Sequence, residues 1–240
     1  MLITDLTVIV PTRDEEHNIQ GFLASLPRQV QLIVVDASSD ATPSLVRQLR
    51  PGHTCLIRHP GNVTHARQIG AAAARTEWLL FTDADVCFPP DYFGRLLHYP
   101  DTDALYGPKL SRDRYVPYYH WFCRGQGALH RLGIPAASGS NMLLRRSVFA
   151  DLGGFDLQLN CNEDTELMWR VQRRGYSVTF SPHLPVYAID HRRLDRGWLR
   201  KTGHTLARGL LLYTNLLPPR WRLSDWGYWT AGENGAQPQP

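Results

Sequence analysis

The sequence predicts an α/β fold: one domain with a mostly parallel central sheet flanked by helices. Short apolar, β-branched runs recur at residues 6–10, 31–35, 54–57 and 77–82, their starts 25, 23 and 23 residues apart. Segments with helical spacing lie between them: Ile19, Phe22, Leu23 and Leu26, then Leu45, Val46 and Leu49, then the alanine run at 71–74. Strand and helix alternating at this pitch make compact βαβ units. A chain of 240 residues with 43% hydrophobic and 20% charged residues buries roughly three quarters of its unfolded surface, so a core forms without staples.

Beyond Pro89 the pattern changes. Residues 106–117 are rich in Pro, Arg and Tyr, and 118–121 are aromatic, which reads as an irregular excursion over the sheet. Residues 141–144 read as a strand, followed by a short helix stopped at Gly153 and Gly154. A helix over 163–174, with Asn162 as N-cap, ends at Gly175, a regular position for a terminating glycine. Strands follow near 177–180 and 186–189, then a long helical pattern over 193–217 that stops at Pro218 and Pro219. The domain is expected to span 1–222, with a flexible tail over 223–240 that lacks large apolar residues after Ala231.

Several classes are excluded. The four cysteines (Cys55, Cys87, Cys123, Cys161) form no CxxC pair, which argues against a zinc site or a disulfide framework and for a reducing compartment. No run reaches the roughly 18 apolar residues of a membrane span, and the N-terminus lacks a basic n-region, so a cytoplasmic location is expected. Residues 191–222 carry eight Arg or Lys against one acid, a local net of +7, while the whole chain is only +4. A basic segment of this kind suits a phosphate-bearing ligand, an anionic lipid surface or a solvated helix face. No nucleic-acid recognition motif accompanies it, so no nucleic-acid partner is expected. There is no GxxxxGK[ST], no GxGxxG after the first strand, no HExxH and no GxSxG.

In parallel sheets, ligands gather at the carboxyl ends of the strands. Here those ends read Pro11-Thr12-Arg13-Asp14-Glu15-Glu16, Asp36-Ala37-Ser38-Ser39-Asp40 and Asp83-Ala84-Asp85. Two carboxylates at a strand end can hold a hard divalent cation together with substrate phosphates, or they can cap a turn. Asp36 can accept hydrogen bonds from a base or ribose, whereas Asp40 suits a turn before the helix at Thr42-Pro43. Glu163 and Asp164 open a helix, where the macrodipole favours acids and a general base can also stand. His191, with Arg192 and Arg193, can complete a metal shell, touch a diphosphate or sit on the surface beside a basic helix.

Taken in order, these elements resemble family 2 glycosyltransferases. Residues 8–16 look like that family's opening strand and nucleotide loop, and Val34-Val35-Asp36 with Ser38, Ser39 and Asp40 like its base-binding turn. Residues 67–74, headed by Arg67, resemble its alanine helix and 81–86 its DxD. Ser138 to Met142, Gly153-Gly154-Phe155-Asp156 and Glu163-Asp164 resemble its acceptor-side block. Asp14 stands where many members carry Asn, and Asp36 stands alone where many carry two acids. The resemblance implies a GT-A, Rossmann-like fold, a nucleotide-diphosphate sugar donor, Mg²⁺ or Mn²⁺, and transfer of one sugar, a hexose, to an acceptor hydroxyl with inversion. It implies that Pro11, Thr12, Arg13, Glu15, Asp36, Arg67 and Asp83 bind the nucleotide sugar. Asp83 and Asp85 would serve the metal and Asp164 the base; by position alone, His191 is a further metal candidate and Glu163 a further base candidate. The QxxRW signature of processive synthases is absent, which favours single transfer.

The helix over 193–217 places Leu199, Leu206, Leu210, Tyr213 and Leu217 near helical spacing, with Arg196, Arg200, Lys201 and Arg208 elsewhere on it. It reads either as an amphipathic helix packed on the sheet or as an interfacial helix at the inner face of a membrane, presenting the site to a lipid-linked acceptor. The alternatives to a glycosyltransferase are a sugar-nucleotide nucleotidyltransferase, which normally needs a glycine-rich first loop, and a non-catalytic nucleotide-sugar-binding protein.

Overall fold

The computed structural model describes residues 1–99, 101–195, 197–214 and 216–222. Arg196 and the expected tail over 223–240 lie outside the described residues. The first half follows the predicted alternation: β1 (Leu6–Thr12), α1 (Ile19–Ala24), β2 (Gln31–Asp36), α2 (Thr42–Leu49), β3 (Thr54–Arg58), α3 (Val63–Ala73) and β4 (Trp78–Thr82). The second half comprises β5 (Val86–Cys87), α4 (Tyr92–Leu96), β6 (Ala104–Tyr106), β7 (Lys109–Leu110), α5 (Val116–Arg131), β8 (Asn141–Arg145), α6 (Arg146–Asp151), α7 (Glu163–Arg173), β9 (Val178–Phe180), β10 (Val186–Ala188), α8 (Arg192–Asp195), α9 (Trp198–Tyr213) and α10 (Pro219–Arg222).

Seven strands form the central sheet in the order β3-β2-β1-β4-β8-β6-β9, and β5-β10-β7 form a second, small one. β3, β2, β1 and β4 are parallel, whereas β8 runs antiparallel to both of its neighbours. Every residue of β1 and β4 is buried, because helices cover both faces of the sheet. The pleat sorts the side chains: Leu6, Val8 and Val10 enter one core, and Ile9 enters the other. The alanine run has a packing reason. A Cβ on Gly70 would collide with Ile9 Cγ2, so α3 lies tight on β1 and carries Arg67 down to the strand ends.

That register sets up the site. Thr12 pairs with Asp36, and Thr82 pairs with Asn141 of the antiparallel β8. The carboxyl ends of β1, β2 and β4 and the turn entering β8 therefore share one sheet edge.

Two expectations are corrected. The excursion after residue 106 holds a sixteen-residue helix, α5. Pro117 sits in its first turn, where a missing N–H costs nothing, but Gly125 and Gly127 inside it weaken the helical signal. The helix expected over 193–217 is two helices, α8 and α9, separated at Gly197, whose φ of 122° breaks the run. By contrast, α7 ends as predicted. Gly175 has φ 87°, and its N–H and that of Tyr176 donate to the carbonyls of Gln172 (3.0 Å) and Val171 (3.2 Å). Among the described residues, no helix is long and apolar enough to cross a membrane.

Candidate active site

The loop after β1 is stapled to the loop after β2. The Asp14 N–H donates to Ser38 Oγ (2.8 Å), and Asp14 Oδ1 accepts from Ser39 N (2.8 Å). Glu15 N donates to Thr42 Oγ1 (2.9 Å) and Glu16 N to Asp40 Oδ2 (3.1 Å). Asp14 takes φ 53° to make these bonds, a conformation that Asp tolerates better than most residues. Beneath the loops, Asp36 is fully buried. Its Oδ1 accepts from Thr12 Oγ1 (2.7 Å) and Ser38 Oγ (2.6 Å), while Arg58 pairs with Oδ2. Asp40 also accepts from Thr42 N (2.9 Å), the predicted turn.

A second cluster centres on Arg67, which is buried. Its Nη2 donates to Asp83 Oδ1 (2.7 Å), and its Nη1 pairs with Glu163. Ser140 Oγ donates to the other Asp83 oxygen (2.5 Å), and Gly139 N donates to Asp164 Oδ2 (2.6 Å). A Cβ on Gly139 would strike the Arg67 guanidinium, so a larger residue there would have to displace an arginine held by Asp83 and Glu163. Burial pushes the Glu163 carboxyl up to about 7, against the opposing pull of Arg67. Asp164 is half-buried and also accepts from Thr165 N (2.7 Å). Asn162 stands at the N-cap position in left-handed conformation (φ 63°), but its side chain makes no cap bond, contrary to expectation.

The third cluster joins the two sheets. Lys109 Nζ lies 2.8 Å from Asp85 Oδ1. Arg192 Nη2 donates to both Glu15 oxygens (2.7 and 2.8 Å), and its Nε pairs with Asp190. Asn18 Nδ2 bridges Glu15 (2.6 Å) and Asp190 (3.2 Å). Burial raises the Glu15 carboxyl, with Asn18 and Arg192 opposing. His191, expected at the metal, is buried with Nε2 2.9 Å from Asp113 Oδ1 and Nδ1 3.2 Å from the Tyr119 hydroxyl. Both ring nitrogens are engaged within the protein, so the histidine braces the segment after β10.

Among the described residues, no group of three His, Cys, Asp or Glu side chains is gathered for a metal. The site still fits a hard cation that takes most of its ligands from substrate. Both Asp83 oxygens accept from the protein, whereas only Oδ1 of Asp85 does so among the described residues. Mg²⁺ commonly binds through one or two carboxylates plus phosphates. The sequence pointed to the acids and to the turn that carries Ser140, but not to their partners Arg58 and Lys109, which come from distant elements.

The family model described as Glycosyl transferase family 2 matches residues 7–153. The chain belongs to this family. The match runs from β1 through the DxD to the glycine pair after α6, and a second model, Glycosyl transferase family 21, matches residues 119–203. Among curated relatives of this family 2 glycosyltransferase, the Pre-mycofactocin glycosyltransferase of Mycobacterium tuberculosis is 28% identical over 214 residues, 82% of this chain and 45% of the relative. The Succinoglycan biosynthesis protein ExoA of Rhizobium meliloti is 24% identical over 73% of this chain and 60% of its own length. The chain thus spans about half the length of these relatives. A mannosyltransferase of Pyrobaculum calidifontis, solved with GDP-Man and Mn²⁺, superposes with a TM-score of 0.68 at 21% identity, over 98% of this chain and 76% of that one. TarS of S. aureus, solved with UDP-GlcNAc, gives 0.62 at 20% identity over 78% and 58%. At such identities it is the fold that is shared, and that fold is GT-A.

Proposed function

We propose that this family 2 glycosyltransferase moves one hexose from a nucleotide-diphosphate sugar to an acceptor hydroxyl, inverting the anomeric carbon. The observation that carries this reading is the turn at residues 138–141. Through Gly139 and Ser140 it holds Asp164 and Asp83 on one short wall, which sets the spacing between the base and the leaving group. The acceptor oxygen bonds to the anomeric carbon as the bond to the diphosphate oxygen breaks. The hydroxyl proton passes to Asp164, and the electron pair leaves with the diphosphate.

Asp164 suits the base because it is only half-buried and its oxygens are aimed by two backbone N–H groups. Glu163 is buried against Arg67, so it acts as a positioning residue for the arginine that holds Asp83. Arg13 and Glu15 line the nucleoside site, with Pro11, Thr12 and Asp36 buried beneath them as its brace. Asp85, beside Asp83, would hold Mg²⁺ or Mn²⁺, and a cation bound there would supply positive charge against the departing diphosphate. A nucleotidyltransferase is disfavoured because the first loop is a stapled Pro-Thr-Arg-Asp-Glu-Glu segment with no glycine.

Thermal unfolding against GDP-mannose, UDP-GlcNAc and further nucleotide sugars, with and without Mn²⁺, tests the reading. One donor should raise Tm by several degrees, since ligand at 100 times Kd adds about 2.7 kcal/mol. That donor should then be hydrolysed slowly in Mn²⁺. A panel without any shift removes the donor site, and binding without turnover favours the non-catalytic alternative.

One further observation favours peripheral contact at the cytoplasmic face of a membrane, with a lipid-linked acceptor. Helix α9 is held on one side, where Thr202 meets the Tyr118 hydroxyl (3.2 Å) and Arg208 binds the Cys161, Trp221 and Arg222 carbonyls, while the more exposed Tyr213 packs tilted against Trp169. Its other side leaves Leu199, Leu206 and Leu210 52–67% exposed. Trp198 and Trp121, both half exposed, flank Tyr118 beside it. Apolar side chains on a segment of net charge +7 suit an anionic bilayer. The double variant Leu206→Glu/Leu210→Glu should lose flotation with phosphatidylglycerol liposomes at unchanged Tm; equal recovery ends the membrane reading.

A further inference from the structure

Three acids at the shared edge are each paired with a cation: Asp83 with Arg67, which also holds Glu163; Glu15 with Arg192, which also holds Asp190; and Asp85 with Lys109. Two of these cations are guanidinium forks. The third is an exception in this chain, which has 24 arginines and only two lysines, Lys109 and Lys201. The difference is chemical. An arginine can cover both oxygens of a carboxylate, whereas an ammonium is a compact charge on a flexible stem that sits at one.

The second sheet is the device that places this ammonium. Strand β10 runs between β5 and β7, with Ala188 opposite Val86 and Val186 opposite Lys109. The Ile189 N–H donates to the Asp85 carbonyl (2.8 Å). Asp85 and Lys109, 24 residues apart, are thereby fixed to one frame, and their side chains are only 13% and 15% exposed.

We infer that Lys109 is the resident counter-ion of Asp85: it occupies one carboxylate oxygen in the free protein, competes there with a divalent cation, and turns to the donor's diphosphate when cation and donor bind. This rests on the assignment of Asp85 to the metal under the proposed function. The physical ground is charge balance. In the free protein, Lys109 neutralises a sheltered carboxylate that otherwise acts electrostatically on Glu15. With a cation on Asp85 that role ends, and a diphosphate is the nearest anion for a released ammonium to meet. Metal and diphosphate then assist each other through one side chain, and linkage makes the assistance reciprocal.

The test is Mn²⁺ binding to the full chain, followed by electron paramagnetic resonance of the free ion, without nucleotide and with GDP or UDP. The wild type should bind Mn²⁺ weakly alone and more tightly with a nucleoside diphosphate, by about five- to 150-fold, the usual span of linkage between two ligands. Lys109→Met should bind Mn²⁺ alone more tightly than the wild type and show a smaller gain from nucleotide. Lys109→Arg, which keeps the charge and can cover both oxygens, should bind Mn²⁺ alone no better than the wild type. Unchanged or weaker affinity in Lys109→Met, including no binding by either protein, overturns the inference. Asp85→Asn separates the two levels. If it keeps Mn²⁺ binding, the assignment of Asp85 fails; if it loses binding while Lys109→Met matches the wild type, only the role of Lys109 fails.

Discussion

Replacing Asp164 with asparagine should slow sugar transfer by roughly 10² to 10⁴, the usual worth of a general base, while donor binding and Tm stay close to wild type. Asparagine keeps the shape of the side chain and an oxygen able to accept from Gly139 N, which donates at 2.6 Å, and from Thr165 N at 2.7 Å. What it loses is the basic lone pair that takes the acceptor proton in the proposed reaction. The loss should appear in kcat with little change in donor KM, because an interaction made only in the transition state has been removed. Glu163→Gln is the natural control. Glu163 is buried and bound to Arg67, so its change should act through the placement of Arg67 and Asp83 and move donor affinity and stability together. A kcat loss below tenfold in Asp164→Asn, measured on the donor that gives the Tm shift, takes the base role from this residue.

The contrast between these two neighbouring acids shows what a sequence can carry. Both were visible as first-turn acids of a helix, and nothing in the local sequence says which one is buried. The answer comes from Arg67, 96 residues before Glu163, brought there by α3 lying tight on β1. The parallel half of the sheet was legible for the opposite reason. Its strands are short buried runs at even spacing, so burial alone marks them. The placing of Asp36, Asp83 and Asp85 at one sheet edge was legible because they end or follow the buried runs that mark β2 and β4. Helix α5 was not, since only Tyr119 and Gln126 of its sixteen residues are buried and two glycines interrupt it. The break at Gly197 was hidden because apolar spacing continues on both sides of it. Lys109 and Arg192 were the hardest. Their roles depend on strands of two or three residues drawn from three distant parts of the chain, and no window of sequence contains that frame.

Asp85→Asn should reduce transfer by at least about 10³-fold. A cation at a breaking sugar–phosphate bond is worth several kcal/mol of charge stabilisation, and each 1.36 kcal/mol is a factor of ten in rate. Asparagine retains one oxygen but not the charge, so Mn²⁺ should no longer raise Tm in the presence of donor. Donor binding itself should survive, because the loop that carries Arg13 and Glu15 is stapled at Asp14, Glu15 and Glu16 to Ser38, Thr42 and Asp40, without Asp85. Lys109 loses its carboxylate in this variant and becomes available to the diphosphate, so nucleotide affinity in the absence of Mn²⁺ should stay level or rise. This pairing separates loss of a metal ligand from general damage to the site. A misfolded edge would weaken nucleotide binding with and without Mn²⁺ alike, whereas a missing ligand abolishes only the Mn²⁺-dependent part. An Asp85→Asn enzyme that keeps both its rate and its Mn²⁺ response leaves that carboxylate without a part in the reaction.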